Sequence, residues 1–124
     1  MKEGRMKNEE KDLAPRTKLF ARAILRMFAK LSKDTASQIL GRQVLRSGTS
    51  VGANYREANR ARSKAEFIAK IGDCLKEADE SLYWLELLSE EGFLAPPDAQ
   101  PLLKEADELV AIFTTISRRA RGDD

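Results

Sequence analysis

Apolar residues recur along this chain at steps of three and four, the repeat of an amphipathic helix, and no stretch alternates in the way a half-buried strand requires. Phe20, Ile24, Met27 and Leu31 predict a first helix from about Thr17 to Leu31. Asp34 or Thr35 opens a second, and Gln38, three residues after Thr35, has the spacing of a capping box. That helix runs to about Asn59, with Leu40, Val44, Val51, Tyr55 and Ala58 towards the core. Ser63 and Glu66 form another capping box, ahead of a third helix with the inward stripe Phe67, Ile68, Ile71, Leu75, Ala78, Leu82 and Leu85. Gly92 is placed to end it, with Phe93 and Leu94 folding back. The fourth helix follows APPDAQP, since proline is accepted at a helix start, and carries Leu102, Ala106, Leu109, Phe113 and Ile116. Short links make neighbouring helices antiparallel, so the expected fold is an all-α, up-down-up-down four-helix bundle over residues 16–120. Residues 1–15 and 121–124 are expected to be tails, the first of them disordered.

At 124 residues and 42% hydrophobic, the chain forms one domain that closes a core without disulfides or metal. It has one cysteine, Cys74, and its N-terminal stretch has no apolar run of signal-peptide or membrane-span length. The expectation is a cytoplasmic protein without a membrane partner.

The net charge of +2 conceals a strong division. Residues 16–64 carry twelve Lys and Arg against Asp34 and Glu57, or +10, whereas residues 65–117 carry three Lys against twelve acids, or −9. Such a division means either an anionic partner for the basic half or two halves that face each other within the fold.

On a helical wheel, Arg42, Arg46, Arg56 and Arg60 fall opposite the core side of the second helix, together with Thr49 and Ala53. The first helix carries a similar stripe of Lys18, Arg22, Arg26 and Lys33. The six arginines of the two stripes, Arg22, Arg26, Arg42, Arg46, Arg56 and Arg60, are the candidate nucleic-acid-binding residues, because guanidinium groups hold phosphate oxygens bidentately. The competing reading is a face laced to acids, since antiparallel pairing would bring Arg46 near Glu77 and Glu80. Gly41, Gly48 and Gly52 form a separate strip that calls for a close neighbour, either a helix of the same bundle or another subunit. Tyr83, Trp84, Leu87 and Leu88 make the end of the third helix apolar on nearly every side, which points to a subunit interface. The terminal Arg118-Arg-Ala-Arg121 reads as a solvated helix end rather than a binding arm.

Catalysis has few candidate groups here. The chain has no histidine, hence no histidine base and none of the Glu-x-x-His sites that other bundles use for metal. Cys74 lies towards the apolar side of its helix, where a thiolate is disfavoured. GTSVGAN lacks the lysine and preceding strand of a phosphate-binding loop. Asp73, Glu77 and Glu80 share a face but read as solvated acids, so no metal and no cofactor is assigned.

SGTSVGANYREA, then RSKAEFIAKI and LKEADESLYWLELL, resembles the small proteins known as 23S ribosomal RNA intervening-sequence proteins over roughly Arg16 to Arg119. That resemblance implies a four-helix bundle assembling as a ring-like homo-oligomer, a pentamer. It also implies a relation to the basic, nucleic-acid-binding accessory protein of diversity-generating retroelements, from which the acidic second half here departs. Two functional expectations follow, both non-catalytic. One is an oligomer that binds RNA or DNA backbone, with about six phosphates neutralised and a log-log salt slope of roughly −4 to −5. The other is a protein-interaction scaffold whose charges serve assembly alone.

Overall fold

The structure, a computed structural model, describes residues 13–122. Four helices account for nearly all of them: α1 (Leu13–Lys30), α2 (Thr35–Asn59), α3 (Lys64–Glu90) and α4 (Pro96–Arg121). Among the described residues there is no strand.

Two helices start earlier than the pattern predicts. Residues 13–15, assigned above to the tail, are already helical, and Leu13 is fully buried, so the core begins one turn before Thr17. The remainder of the expected N-terminal tail, and Asp123 and Asp124, lie outside the described residues. Helix α4 starts at Pro96, so Pro101 sits inside it instead of before it. Pro96 and Pro97 occupy positions whose amides lack helical partners anyway, while Pro101 forgoes a single bond to the Pro97 carbonyl and stays exposed. At the other end α4 reaches Arg121 and closes on Gly122 at φ 80°.

The caps differ from expectation in detail. Asp34, not Thr35, caps α2: its carboxylate accepts from the Ala36 and Ser37 amides at 3.1 and 3.4 Å. Gln38 does not complete a box, because its side-chain amide donates to the Ser32 carbonyl at 2.6 Å. Asp34→Ala should therefore lower stability by about 1 kcal/mol, and Thr35→Ala by much less, as read by urea denaturation. Ser63 caps α3 by accepting from the Glu66 amide at 3.0 Å, while Glu66 accepts from the amide of Arg62 instead of Ser63. At the far end of α3, Gly92 at φ 79° lets the Phe93 amide reach the Leu88 carbonyl and its own amide reach Ser89. This paired closure turns the chain so that Leu94 folds into the core.

Packing is extensive between α1 and α2, α2 and α3, and α3 and α4, and slight between α1 and α4. Val44, Val51, Ile71, Leu85, Leu88, Leu109 and Phe113 are fully buried. The Tyr55 and Phe113 rings meet across the bundle diagonal, with centroids 5.9 Å apart. One polar pair lies inside: Ser81 Oγ is 2.8 Å from Ser47 Oγ and 2.8 Å from the Glu77 carbonyl oxygen, so both hydroxyls are satisfied.

The glycine strip is covered by α1 of the same bundle. A Cβ on Gly41 would meet Leu31 Cδ1 at 2.6 Å, one on Gly48 would meet Ile24 Cγ1 at 2.9 Å, and one on Gly52 would meet Thr17 Oγ1 at 3.1 Å. Close packing within the bundle thus accounts for all three.

Candidate nucleic-acid interface

The fold places the basic half, α1 and α2, beside the acidic half, α3 and α4, and the two halves are joined by a few specific pairs. Arg16 on α1 grips Glu105 on α4 with two bonds of 2.7 and 2.8 Å and also reaches Glu108. These bonds raise the Arg16 pKa above its already high ordinary value, the Glu105 hydrogen bond most of all. On the opposite seam, Arg46 pairs with Glu77 at 3.2 Å and with Glu80. Glu57, the one acid beside the arginine stripe, is taken by Lys70 of α3 at 2.5 Å, and that contact raises the Lys70 pKa.

These pairs divide the six candidate arginines. Arg46 turns to the α3 side and is laced to acids, as antiparallel register requires, so it leaves the phosphate track. Its partners Glu77 and Glu80 are thereby occupied too, and among the described residues no cluster of three potential metal ligands occurs. Arg26 lines a different groove, at the loose α1–α4 seam, with Met27, Lys30, Phe93 and Leu94. Arg22, Arg42, Arg56 and Arg60 are exposed and make no ion pair with any described residue. Lys18, from the stripe on α1, joins Arg56 and Arg60 around a groove between α1 and α2. Lys18 shares its outward stripe with Arg22 and Arg26, and a wheel does not show which outward residues of two helices converge.

Other candidates separate in the same way. Leu88 is fully buried in the bundle core and is no surface residue, whereas Tyr83 is 55% exposed and Leu87 half-buried. Trp84 packs edge-on against Tyr83 at 5.1 Å, and its buried indole N–H has no acceptor among the described residues. Leu19, Leu25 and Ile39 also stand more than half exposed. Cys74 is fully buried, and burial pushes its thiol up to about 12, with Asp73 adding to the effect. A thiol held that high stays protonated near neutral pH and is a poor nucleophile. No helix among the described residues is long and apolar enough to cross a membrane.

The geometry defines an all-α bundle with unlike basic and acidic halves and an arginine-bearing face on one of them. The family model for the 23S rRNA-intervening sequence protein matches residues 9–115, and the chain belongs to that family. It is also similar to a crystal structure from Bacteroides thetaiotaomicron VPI-5482, described as a protein of unknown function from the S23 ribosomal protein family. The two are 34% identical, with a TM-score of 0.79, over 86% of this chain and 98% of that one. No curated protein matches.

Proposed function

We propose that this protein is a non-catalytic, cytoplasmic homo-oligomer that binds the sugar-phosphate backbone of RNA or DNA through the outer face of α1 and α2. The observation that carries the reading is electrostatic. Arg22, Arg42, Arg56, Arg60 and Lys18 make no ion pair among the described residues, although residues 65–117 hold twelve acids, and the acid beside them in the sequence, Glu57, is paired with Lys70. A row of cations that outnumber the single acid among them suits a polyanion. The family descriptions, which refer to ribosomal RNA sequences and to a ribosomal protein, agree with a nucleic-acid setting. Assembly rests on separate grounds: exposed Tyr83, Leu19, Leu25 and Ile39 suit burial against further copies, in the ring-like pentamer that the family resemblance implies.

The scaffold reading has its own support in Arg16 and Arg46, whose charges are spent inside the bundle. Titration of labelled RNA and DNA duplexes at low salt decides between the two. Binding should be largely independent of sequence, and duplex or structured RNA should bind at least as well as unstructured strands, because this face offers no aromatic side chain for stacking. Arg56→Glu with Arg60→Glu should weaken binding to every sequence by about tenfold or more and leave the oligomer intact. Absence of binding up to about 50 μM protein, well inside the usual range of non-specific affinities, would sink the proposal in favour of the scaffold.

A further inference from the structure

Along the α1–α2 crossing, the space outside the glycine strip is filled at one end and open at the other. Over Gly41, Phe28 and Leu31 stand within 3.0 Å of where a Cβ would be, and over Gly48 the branched Ile24 does the same. Over Gly52 the three nearest atoms all belong to the smaller Thr17. The flanking residues Ala21 and Ala53 end at their Cβ atoms, which leaves a groove of about 590 Å³. Three cations of the face line this open end, Lys18 on the α1 bank and Arg56 and Arg60 on the α2 bank, together with Asn59 and with Glu57, whose carboxylate is held by Lys70 of α3.

We infer that this groove seats one sugar-phosphate ridge of a bound nucleic acid, its phosphates held between Lys18 on one bank and Arg56 and Arg60 on the other. The inference rests on the backbone-binding reading above and deepens it by fixing where the strand lies. The floor is suited to sugar rather than base. The hydroxyl groups of Thr17 and Thr49 already donate to the carbonyls of Leu13 and Leu45 at 2.7 and 2.8 Å, so neither has a proton to offer. Between them the alanine and threonine methyl groups and Gly52 offer surface that packs against ribose C–H groups, while the polar side chains of the lining are Lys18, Arg56, Asn59 and Arg60 with Glu57. The guanidinium groups above it supply paired donors to non-bridging phosphate oxygens. Coincidence of empty volume with an excess of positive charge is what separates this end from the rest of the arginine face, where Arg22 and Arg42 lie outside the groove.

The test fills the groove without changing any charge. Ala53 is exposed, so Ala53→Leu should leave the melting temperature and the oligomer unaltered while raising the Kd for an RNA duplex about tenfold, through lost phosphate contacts. Ala53→Gln, of similar bulk but polar, should do the same, and Ala111→Leu, on the exposed face of α4, should have no effect. If both Ala53 variants bind like the unmodified protein while Arg56→Glu with Arg60→Glu does not bind, the strand lies across the outer surface, and the groove is overturned with the basic face retained. No binding by the unmodified protein overturns both.

Discussion

Gly48→Leu should unfold the bundle at a clearly lower urea concentration than the unmodified protein, although leucine is the better helix former. Exchanging an interior glycine for leucine favours the helix by about 1 kcal/mol when nothing else changes. Here Ile24 Cγ1, Cγ2 and Cβ would lie 2.9, 3.3 and 3.4 Å from the new Cβ, before any γ or δ carbon is placed. The branch point of Ile24 sits on the α1 backbone and cannot swing aside, so the helices must separate. Overpacking of this kind typically destabilises by about 1–3 kcal/mol, occasionally more, and here it outweighs the propensity gain. Gly72 supplies the internal control. It lies within α3 with nothing within 4 Å of its Cβ position, so Gly72→Ala should stabilise by up to about 1 kcal/mol. Opposite signs at the two sites would establish that Gly48 is a packing glycine; equal signs would remove the close crossing from the account.

Phe113→Ala should be the most damaging single truncation in α4, by about 3–5 kcal/mol in equilibrium unfolding. Phe113 is fully buried and meets Tyr55 across the diagonal, so its loss opens a cavity between the basic and acidic halves where no short side chain can follow. Because α1 and α4 pack only slightly, this diagonal contact and the Arg16 bridge carry much of what holds α4 against the basic half. Tyr83→Ala, by contrast, removes a largely exposed ring and should leave the fold of one bundle almost unchanged.

The four helices are legible in the sequence because a three-four repeat has one structural meaning when it lasts for five or more turns. The boundaries are less so, and for identifiable reasons. Pro101 reads as a stop signal, yet an exposed proline one turn and a half into a helix loses one bond, and the burial of Ala99 and Leu102 around it outweighs that loss. Thr35 and Asp34 offer equivalent caps on paper, and only the backbone direction selects Asp34. Leu88 looks like surplus apolar surface beside Tyr83, Trp84 and Leu87, but the buried stripe of α3 runs through Ile71, Cys74, Ala78, Ser81, Leu85 and Leu88, with a serine in its middle that pattern reading skips.

Of the candidate interface, Arg46 shows both what register reveals and what a wheel conceals. Antiparallel pairing from the turn near Ser63 is enough to bring it to Glu77 and Glu80. No comparable argument separates Arg26 from Arg22, which are one turn apart on the same exposed side of α1. Their separation depends on which neighbour lies on each flank, a tertiary fact. For the same reason the convergence of Lys18 with Arg56 and Arg60 emerges only once α1 and α2 are laid together.

The salt dependence of RNA-duplex binding tests the basic-face account most directly. With Arg46 neutralised by acids and Arg26 in another groove, five cations remain: Lys18, Arg22, Arg42, Arg56 and Arg60. Five phosphates neutralised per protomer give a log-log slope of about −3.5 to −4.5, depending on strandedness, slightly shallower than six arginines would give. Removing two of them through Arg56→Glu and Arg60→Glu should flatten that slope by about 2. A slope near zero, or one that the double variant leaves unchanged, would contradict the claim that this face binds phosphate.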